Sequence, residues 1–466
     1  MKYVACLAWL LVVANGCAPE SQVSREHSDL DSPIKQNVRE SRSVDLTENR
    51  NSTAPDHQLA AALKEFSHQA RELEAELRFE EALVSREKIV ELTELRFGQD
   101  SWQVKNAQIG MEFAHQAVGF GDQKKQHFLN ARKFNQAAAV MLAEQDYEPA
   151  LQNAMDSLNL LYGLTGPESV GVGRQVLQIA EIREKLGLHE EAASDIHRGI
   201  RILRGRGYDC HPLLEMAHST LAAIYARADQ FPPSIANQKV ATRMASQLWG
   251  EQSVQYAMQA NQLGMIYHQS GENETALKVL RGSEAIYRLN LGPDALDVGS
   301  VRMNIGRTLM DTRNFSEALD NFQMAERVFI KLIPRPHSFI VECKTRMATI
   351  HLMEHRYVLA EDLLHSAVEE QQQVTGVTPA QLAATEYQLS IALGQQGKYD
   401  RTQPLLEKII EIQQRDLGVA NPFTVRSLQA YAIVLKETQQ VEAAQRVYHQ
   451  IEQVTALNAD GNSLRR

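Results

Sequence analysis

Apolar residues recur along this chain at the three- and four-residue spacing of amphipathic helices, from about residue 58 to residue 457. No stretch alternates apolar and polar residues in the manner of a half-buried β-strand. Helix breakers interrupt the pattern and predict loops. The predicted loops contain Gly98, Gly166-Pro167, His211-Pro212, Gly292-Pro293, Pro334 to Pro336, Pro379 and Asn421-Pro422. The pattern predicts an all-α chain of paired helices, each of about 18 residues.

Helical stretches end on a glycine at a fixed interval through the second half of the chain. The series is Gly207, Gly250, Gly292, Gly376 and Gly418, at steps of 42 or 43 residues, with Pro334 in the position between Gly292 and Gly376. Such a period is typical of a solenoid, in which each unit buries its apolar face on its neighbours. We therefore expect an extended surface suited to binding or scaffolding.

Equivalent positions in successive repeats also carry residues of similar size. Small residues are required where two helix backbones touch, and large residues fill the space beside them. Leu263, Gly264, Tyr267 and Ala276 return 42 residues later as Ile305, Gly306, Leu309 and Ala318. This repetition predicts close helix packing at the glycine and alanine positions.

The Leu-Gly-x-x-Tyr sequence at 263–267, followed by Ala276, resembles the tetratricopeptide repeat. The 42-residue length and the loops at 207–212 and 291–294 are similar to the kinesin-light-chain type of that family. The resemblance covers residues 57–457, or about nine repeats. It implies a right-handed superhelical solenoid of antiparallel helix pairs that binds other proteins.

One break in register separates irregular helices at 57–165 from a regular array at 166–457. Ala82 and Ala150 occupy equivalent positions but lie 68 residues apart, which leaves room for one additional helix at residues 102–120. We expect this inserted helix to disturb the stacking. The region from Phe97 to Ala150 resembles an N-terminal module of repeat proteins from planctomycete-like bacteria, which include lipoproteins.

Residues 1–17 have the pattern of an export signal, with Lys2 followed by a short apolar run that is insufficient to span a bilayer. Gly16 and Cys17 resemble a bacterial lipoprotein site, which implies lipidation of Cys17 and attachment to a membrane facing the periplasm or in the outer membrane. Simple cleavage with secretion, or a cytoplasmic protein, are the alternatives. Polar composition predicts a disordered tether at 18–56 and a flexible tail at 458–466.

Charge and cysteine content exclude several classes of function. The 58 acidic and 48 basic residues give a net charge of −10, without the clustered lysine and arginine that phosphate backbones require. We therefore expect no nucleic acid as the main partner. The four cysteines lack zinc-finger spacing and predict neither a disulfide framework nor a metal site.

The candidate catalytic motif is His351-Leu-Met-Glu354-His355, which fits the H-x-x-E-H pattern of zinc peptidases. On one helix the two histidines would face the same way and bind zinc, with Glu354 as general base. However, His351 occupies the aromatic packing position of the repeat, equivalent to Tyr267. Glu354 and His355 fall at the turn where Gly271 lies in another repeat. We therefore expect no enzymatic activity and no cofactor, and keep a zinc hydrolase as the alternative.

Binding is expected along the groove formed by the first helix of each repeat, where amides pair with a peptide backbone and arginines with carboxylates. The predicted groove residues are Asn261, Gln262, Asn304, Arg307, Arg346, Tyr387 and Gln388. The sequence predicts a scaffold for peptide or protein partners. A further alternative is self-assembly through the last helix, which carries Val447, Ile451 and Val454.

Overall fold

The structure is a computed structural model that describes residues 54–463, with side chains described for residues 56–454. The predicted signal peptide, Cys17 and nearly all of the predicted tether lie outside the described residues.

The described residues form α-helices joined by short turns and contain no β-strand, which confirms the predicted all-α class. The helices are α1 (Ala54–Ala75), α2 (Phe79–Phe97), α3 (Trp102–Val118), α4 (Asp122–Ala143), α5 (Tyr147–Thr165), α6 (Val170–Lys185), α7 (His189–Gly205), α8 (Pro212–Arg227), α9 (Phe231–Trp249), α10 (Val254–Gln269), α11 (Asn273–Leu291), α12 (Leu296–Asp311), α13 (Phe315–Leu332), α14 (Ser338–Met353), α15 (Tyr357–Gln371), α16 (Pro379–Gln395), α17 (Tyr399–Asp416), α18 (Pro422–Glu437) and α19 (Val441–Ser463).

These helices belong to two compact units. The first unit ends at Glu272 and contains α1–α10, and the second begins at Asn273 and contains α11–α19. Within each unit consecutive helices pack on one another, as α8 does on α9 and α12 on α13. The short turns between them make these pairs antiparallel, as in helical hairpins.

Small residues bring the helices of a pair together. Ala318 and Phe322 of α13 are both fully buried. A Cβ on Gly306 of α12 would lie 2.9 Å from the Phe322 ring. The close packing predicted from the period is therefore present, because only a glycine leaves room for this ring.

The periodic glycines end the second helix of each pair. Gly250 has φ 87° and ψ 153°, a conformation that is essentially confined to glycine. Ser253 then caps the next helix by accepting a hydrogen bond from the Tyr256 N–H at 3.1 Å. Where Pro334 replaces the glycine, the preceding Ile333 is extended at φ −110° and ψ 134°, so the turn needs no positive φ.

Helix α3 occupies the stretch for which the sequence predicts an inserted helix. One side of α3 packs on α2. The other side reaches the start of α4, where the Phe113 and Phe128 rings lie 5.7 Å apart. It also reaches the first turn of α6, since a Cβ on Gly171 would collide with Phe113.

The N-terminal end of α3 extends to a third repeat. The Trp102 ring lies 5.9 Å from the ring of His211, the N-cap of α8, and 5.5 Å from the ring of Trp249, the last residue of α9. Helix α3 therefore crosses the ends of the pairs α4–α5, α6–α7 and α8–α9. It lies beside these pairs, and their stacking continues past it.

The last helix, α19, continues to Ser463. Ile451 and Val454 are 8% and 6% exposed, and Val447 packs against a cluster that contains Ile451. These three residues, on which the self-assembly alternative depended, therefore contribute to the core of their own unit.

Candidate functional site

The predicted groove residues lie on alternate helices, and those of the second unit all lie on the first helix of a pair. In the first unit, α10 carries Asn261 and Gln262. In the second unit the five others are Asn304 and Arg307 on α12, Arg346 on α14, and Tyr387 and Gln388 on α16. Because the two sets belong to different units, each set forms a surface of its own.

Arginines of the second unit share one carboxylate. Arg307 Nε donates to Glu342 Oε1 at 3.0 Å, and Arg346 Nε lies 3.4 Å from the same oxygen. The contact joins α12 to α14. We refer to Arg307, Glu342 and Arg346 as the arginine–glutamate bridge; it carries one excess positive charge.

Glu342 is the member of this bridge that the sequence did not predict. The sequence does contain a pattern that could have identified it. Glu342 precedes Arg346 by four residues and thus shares a helix face with it. Its presence changes the expected chemistry, because a partner carboxylate would join an existing ion pair instead of meeting two unpaired arginines.

A second lateral contact joins α14 to α16. Thr349 Oγ1 donates to Gln388 Oε1 at 3.1 Å. This bond fixes the position of the Gln388 amide at the contact between the two helices. Asn304 is only 9% exposed and lies 3.5 Å from Arg307 Nη1 through its Oδ1 atom, so it supports the arginine more than it faces outward.

Tyr387 packs against the core cluster of the second unit that contains Leu389 and Leu406. Burial raises the pKa of the Tyr387 phenol to about 12, although the charge of Arg426 opposes that shift. The structure thus gives Tyr387 a packing contact.

In the first unit, Gln262 belongs to an amide network. Its Oε1 atom accepts from Ser219 Oγ at 2.7 Å, which joins α8 to α10, and lies 3.3 Å from Gln238 Nε2. Gln238 also donates to Gln259 Oε1 at 2.7 Å, and Gln259 donates to Glu215. Gln238, Gln259 and Glu215 are almost completely buried, so this network fixes the helices that carry Gln262.

A buried ion-pair cluster supports the second unit beside the groove residues. Glu370 is 5% exposed and accepts from Lys344 Nζ at 2.9 Å and from Arg335 Nη2 at 2.6 Å. Burial alone would raise the pKa of Glu370, but the hydrogen bonds and charges of Arg335 and Lys344 lower it overall. The carboxylate is therefore ionised and ties α14 to α15.

The H-x-x-E-H motif does not lie on one helix. Helix α14 ends at Met353, Glu354 is its C-cap, and His355 has φ 60° in the following turn. His355 Nδ1 lies 2.7 Å from Tyr357 Oη. The geometry assumed for the zinc-hydrolase alternative is therefore wrong, because a helix is required for the two histidines to face one ion. Among residues 54–463, no group of three metal-ligating side chains is placed to hold a metal.

No helix in the described part of the chain is sufficiently long and apolar to cross a bilayer.

The repeated helix pairs with glycine-terminated ends define this molecule as a helical repeat protein. Residues 256–331 match the family model of the tetratricopeptide repeat. The predicted recognition of tetratricopeptide repeats is thus confirmed for residues 256–331.

Two solved structures with TM-scores above 0.5 share the fold. The apo form of the quorum sensor NprR from B. thuringiensis is 11% identical, with a TM-score of 0.53 over 86% of this chain and 99% of its own. A signal-transduction ATPase with a tetratricopeptide-repeat sensor from Pyrococcus horikoshii is also 11% identical, with a TM-score of 0.53 over 80% of this chain and 52% of its own. A putative kinesin light chain from Podosopora anserina is 20% identical over 44% of this chain and 96% of its own, with a TM-score of 0.39. No curated protein matches the sequence.

Proposed function

We propose that this protein is a non-enzymatic scaffold that binds peptide or protein partners along the first helices of its repeats while anchored at a membrane through Cys17. The tetratricopeptide-repeat fold supports the general role of a protein-interaction scaffold. The observation that carries the finer proposal is the lateral joining of polar side chains across α12, α14 and α16.

The arginine–glutamate bridge favours a partner with a carboxylate. Because Glu342 neutralises only one of the two arginines, a second carboxylate can form a charge-assisted hydrogen bond with the other. Gln388, held by Thr349, can donate to a backbone carbonyl of an extended peptide. Both groups are positioned before a partner arrives, which reduces the entropy lost on binding.

Pull-down from an envelope fraction tests the groove. We expect Arg307→Ala/Arg346→Ala to lose partners that the natural chain retains. The matched control is Arg281→Ala, which breaks the exposed ion pair with Glu317 between α11 and α13. Retention of all partners by the groove variant would contradict the proposed surface.

The membrane anchor is tested separately by replacing Cys17. We expect the natural chain to incorporate labelled fatty acid and to sediment with membranes. Cys17→Ser should do neither, while the control Cys6→Ser, within the apolar run, should do both. Membrane sedimentation of Cys17→Ser without label would refute the lipid anchor and leave the groove proposal intact.

A further inference from the structure

Three buried N–H groups of the first unit lie in one cluster of rings without an acceptor. Trp102 of α3 packs edge-on against His211 and Trp249, at ring distances of 5.9 Å and 5.5 Å. Nε1 of both tryptophans and Nε2 of His211 are shielded from solvent and have no hydrogen-bond partner among the described residues. Unpaired buried polar atoms are rare in native proteins, and they commonly indicate an ion or water that belongs at the site.

His211 is a donor at this position. Its Nδ1 atom accepts the Leu213 N–H at 3.1 Å, so a neutral ring carries its proton on Nε2. Burial, followed by the charges of Arg174 and Lys105, lowers the pKa of His211 to about 4, which keeps the ring neutral at pH 7. The cluster therefore has three donors and no acceptor.

Two cations next to these rings lack a carboxylate. Lys105 Nζ donates to the Gly207 carbonyl at 3.1 Å, and Arg174 Nη1 donates to Asn106 Oδ1 at 3.4 Å. Neither cation forms an ion pair with a carboxylate of residues 56–454. The N-terminus of α8, which His211 caps, adds partial positive charge.

The nearby carboxylates do not supply the missing acceptor. Glu215, one turn along α8 from His211, already accepts from Gln259. Burial, followed by the charge of Glu112, raises the pKa of Tyr208. Glu112 itself lies on an exposed surface of α3 beside Met111 and His115. Unpaired donors of α3, α8 and α9 thus lie in one cluster of rings, and the positive charges of Lys105 on α3 and Arg174 on α6 act on its histidine.

We propose that the cluster formed by Trp102, His211 and Trp249, together with Lys105 and Arg174, binds a small oxyanion, either a carboxylate or a phosphate. The indole and imidazole N–H groups donate hydrogen bonds to its oxygens, and Arg174 and Lys105 compensate its charge. The Trp102 ring turns to admit the ion, since the three N–H groups are shielded in its absence. A bound anion locks α3 to α8 and α9.

Titration of the full chain with inorganic phosphate, and separately with acetate, tests this site. The readouts are tryptophan fluorescence and the melting temperature, with sodium chloride at matched ionic strength as the reference. At a hundredfold excess over Kd, we expect the melting temperature to rise by about 5–10 °C and the tryptophan emission to change in parallel. A response to phosphate alone identifies a phosphate site, and a response to both identifies a general carboxylate and phosphate site.

Variants separate this site from the general stabilisation of proteins by phosphate. Lys105→Gln/Arg174→Gln should weaken binding at least tenfold. The matched control is Lys124→Gln/Lys133→Gln, which removes two exposed cations of α4 from the same unit and should bind as the natural chain does. The proposal is overturned if the natural chain shows no response to either anion. It is also overturned if Lys105→Gln/Arg174→Gln, with a natural circular-dichroism spectrum, responds equally.

Discussion

Replacing His211 with asparagine should remove a large part of the acid sensitivity of the first unit. His211 is 2% exposed and caps α8 by accepting the Leu213 N–H. Asn421 performs the same task at α18, where its Oδ1 atom accepts the Phe423 N–H at 2.9 Å. Asparagine can therefore keep the cap while removing a group that titrates.

The magnitude follows from the pKa of His211, which burial and the charges of Arg174 and Lys105 lower from 6.5 to about 4. The unfolded chain binds a proton below pH 6.5, but the folded chain binds it only near pH 4. Stability is thus complete above pH 6.5 and falls as the pH decreases towards 4. A shift of this size corresponds to about 3 kcal/mol of lost unfolding free energy.

The assay is urea unfolding at pH 7.5 and pH 4.5, followed by tryptophan fluorescence in buffers without phosphate or carboxylate. We expect the natural chain to lose about 2–3 kcal/mol more than His211→Asn between the two pH values. The loss of ring contacts with Trp102 will lower the unfolding free energy of the variant equally at both pH values. It therefore does not affect the difference in unfolding free energy between them. An equal pH dependence for the two proteins would refute the argument that His211 is held neutral.

Three further outcomes test the fold. Glu370→Gln should lower the unfolding free energy by about 3 kcal/mol, because Lys344 loses its buried partner, whereas breaking the exposed pair through Glu317→Gln should cost under about 1 kcal/mol in the same urea titration. Gly292→Ala should cost about 1–3 kcal/mol because φ is 86° there, whereas Gly282→Ala, within α11 and without close neighbours, should stabilise by up to about 1 kcal/mol. Cys343 is fully buried and burial raises its pKa, so a thiol reagent should label it only after unfolding. The packing described would be contradicted if the two glutamate variants, or the two glycine variants, changed the unfolding free energy equally. Rapid labelling of Cys343 in the folded chain would also contradict it.

The repeat architecture was predictable because its signal is local. Gly250 recurs in the sequence because its backbone conformation excludes other residues, and Gly306 recurs because the Phe322 ring leaves no room for a Cβ. Each requirement acts at one position of the period and therefore appears as a repeated residue.

The candidate site was predictable only in part, because its contacts cross between repeats. The pattern placed Arg307 and Arg346 on first helices, but it did not pair both with Glu342. The packing partners of α3 were even harder to predict from the sequence. Trp102 meets residues more than a hundred positions away, and a helix outside the repeat register has no period that would reveal its neighbours.

The long-range contacts of α3 also set an order of events during synthesis. Trp102 meets Trp249, so the N-terminal end of α3 cannot dock until the end of α9 has left the ribosome. At bacterial and eukaryotic elongation rates this interval is about 10–30 s. During that time Trp102 lacks the Trp249 ring, although the rest of α3 can already pack on α2 and α4. The packing of α3 is therefore finished only when the third pair is complete.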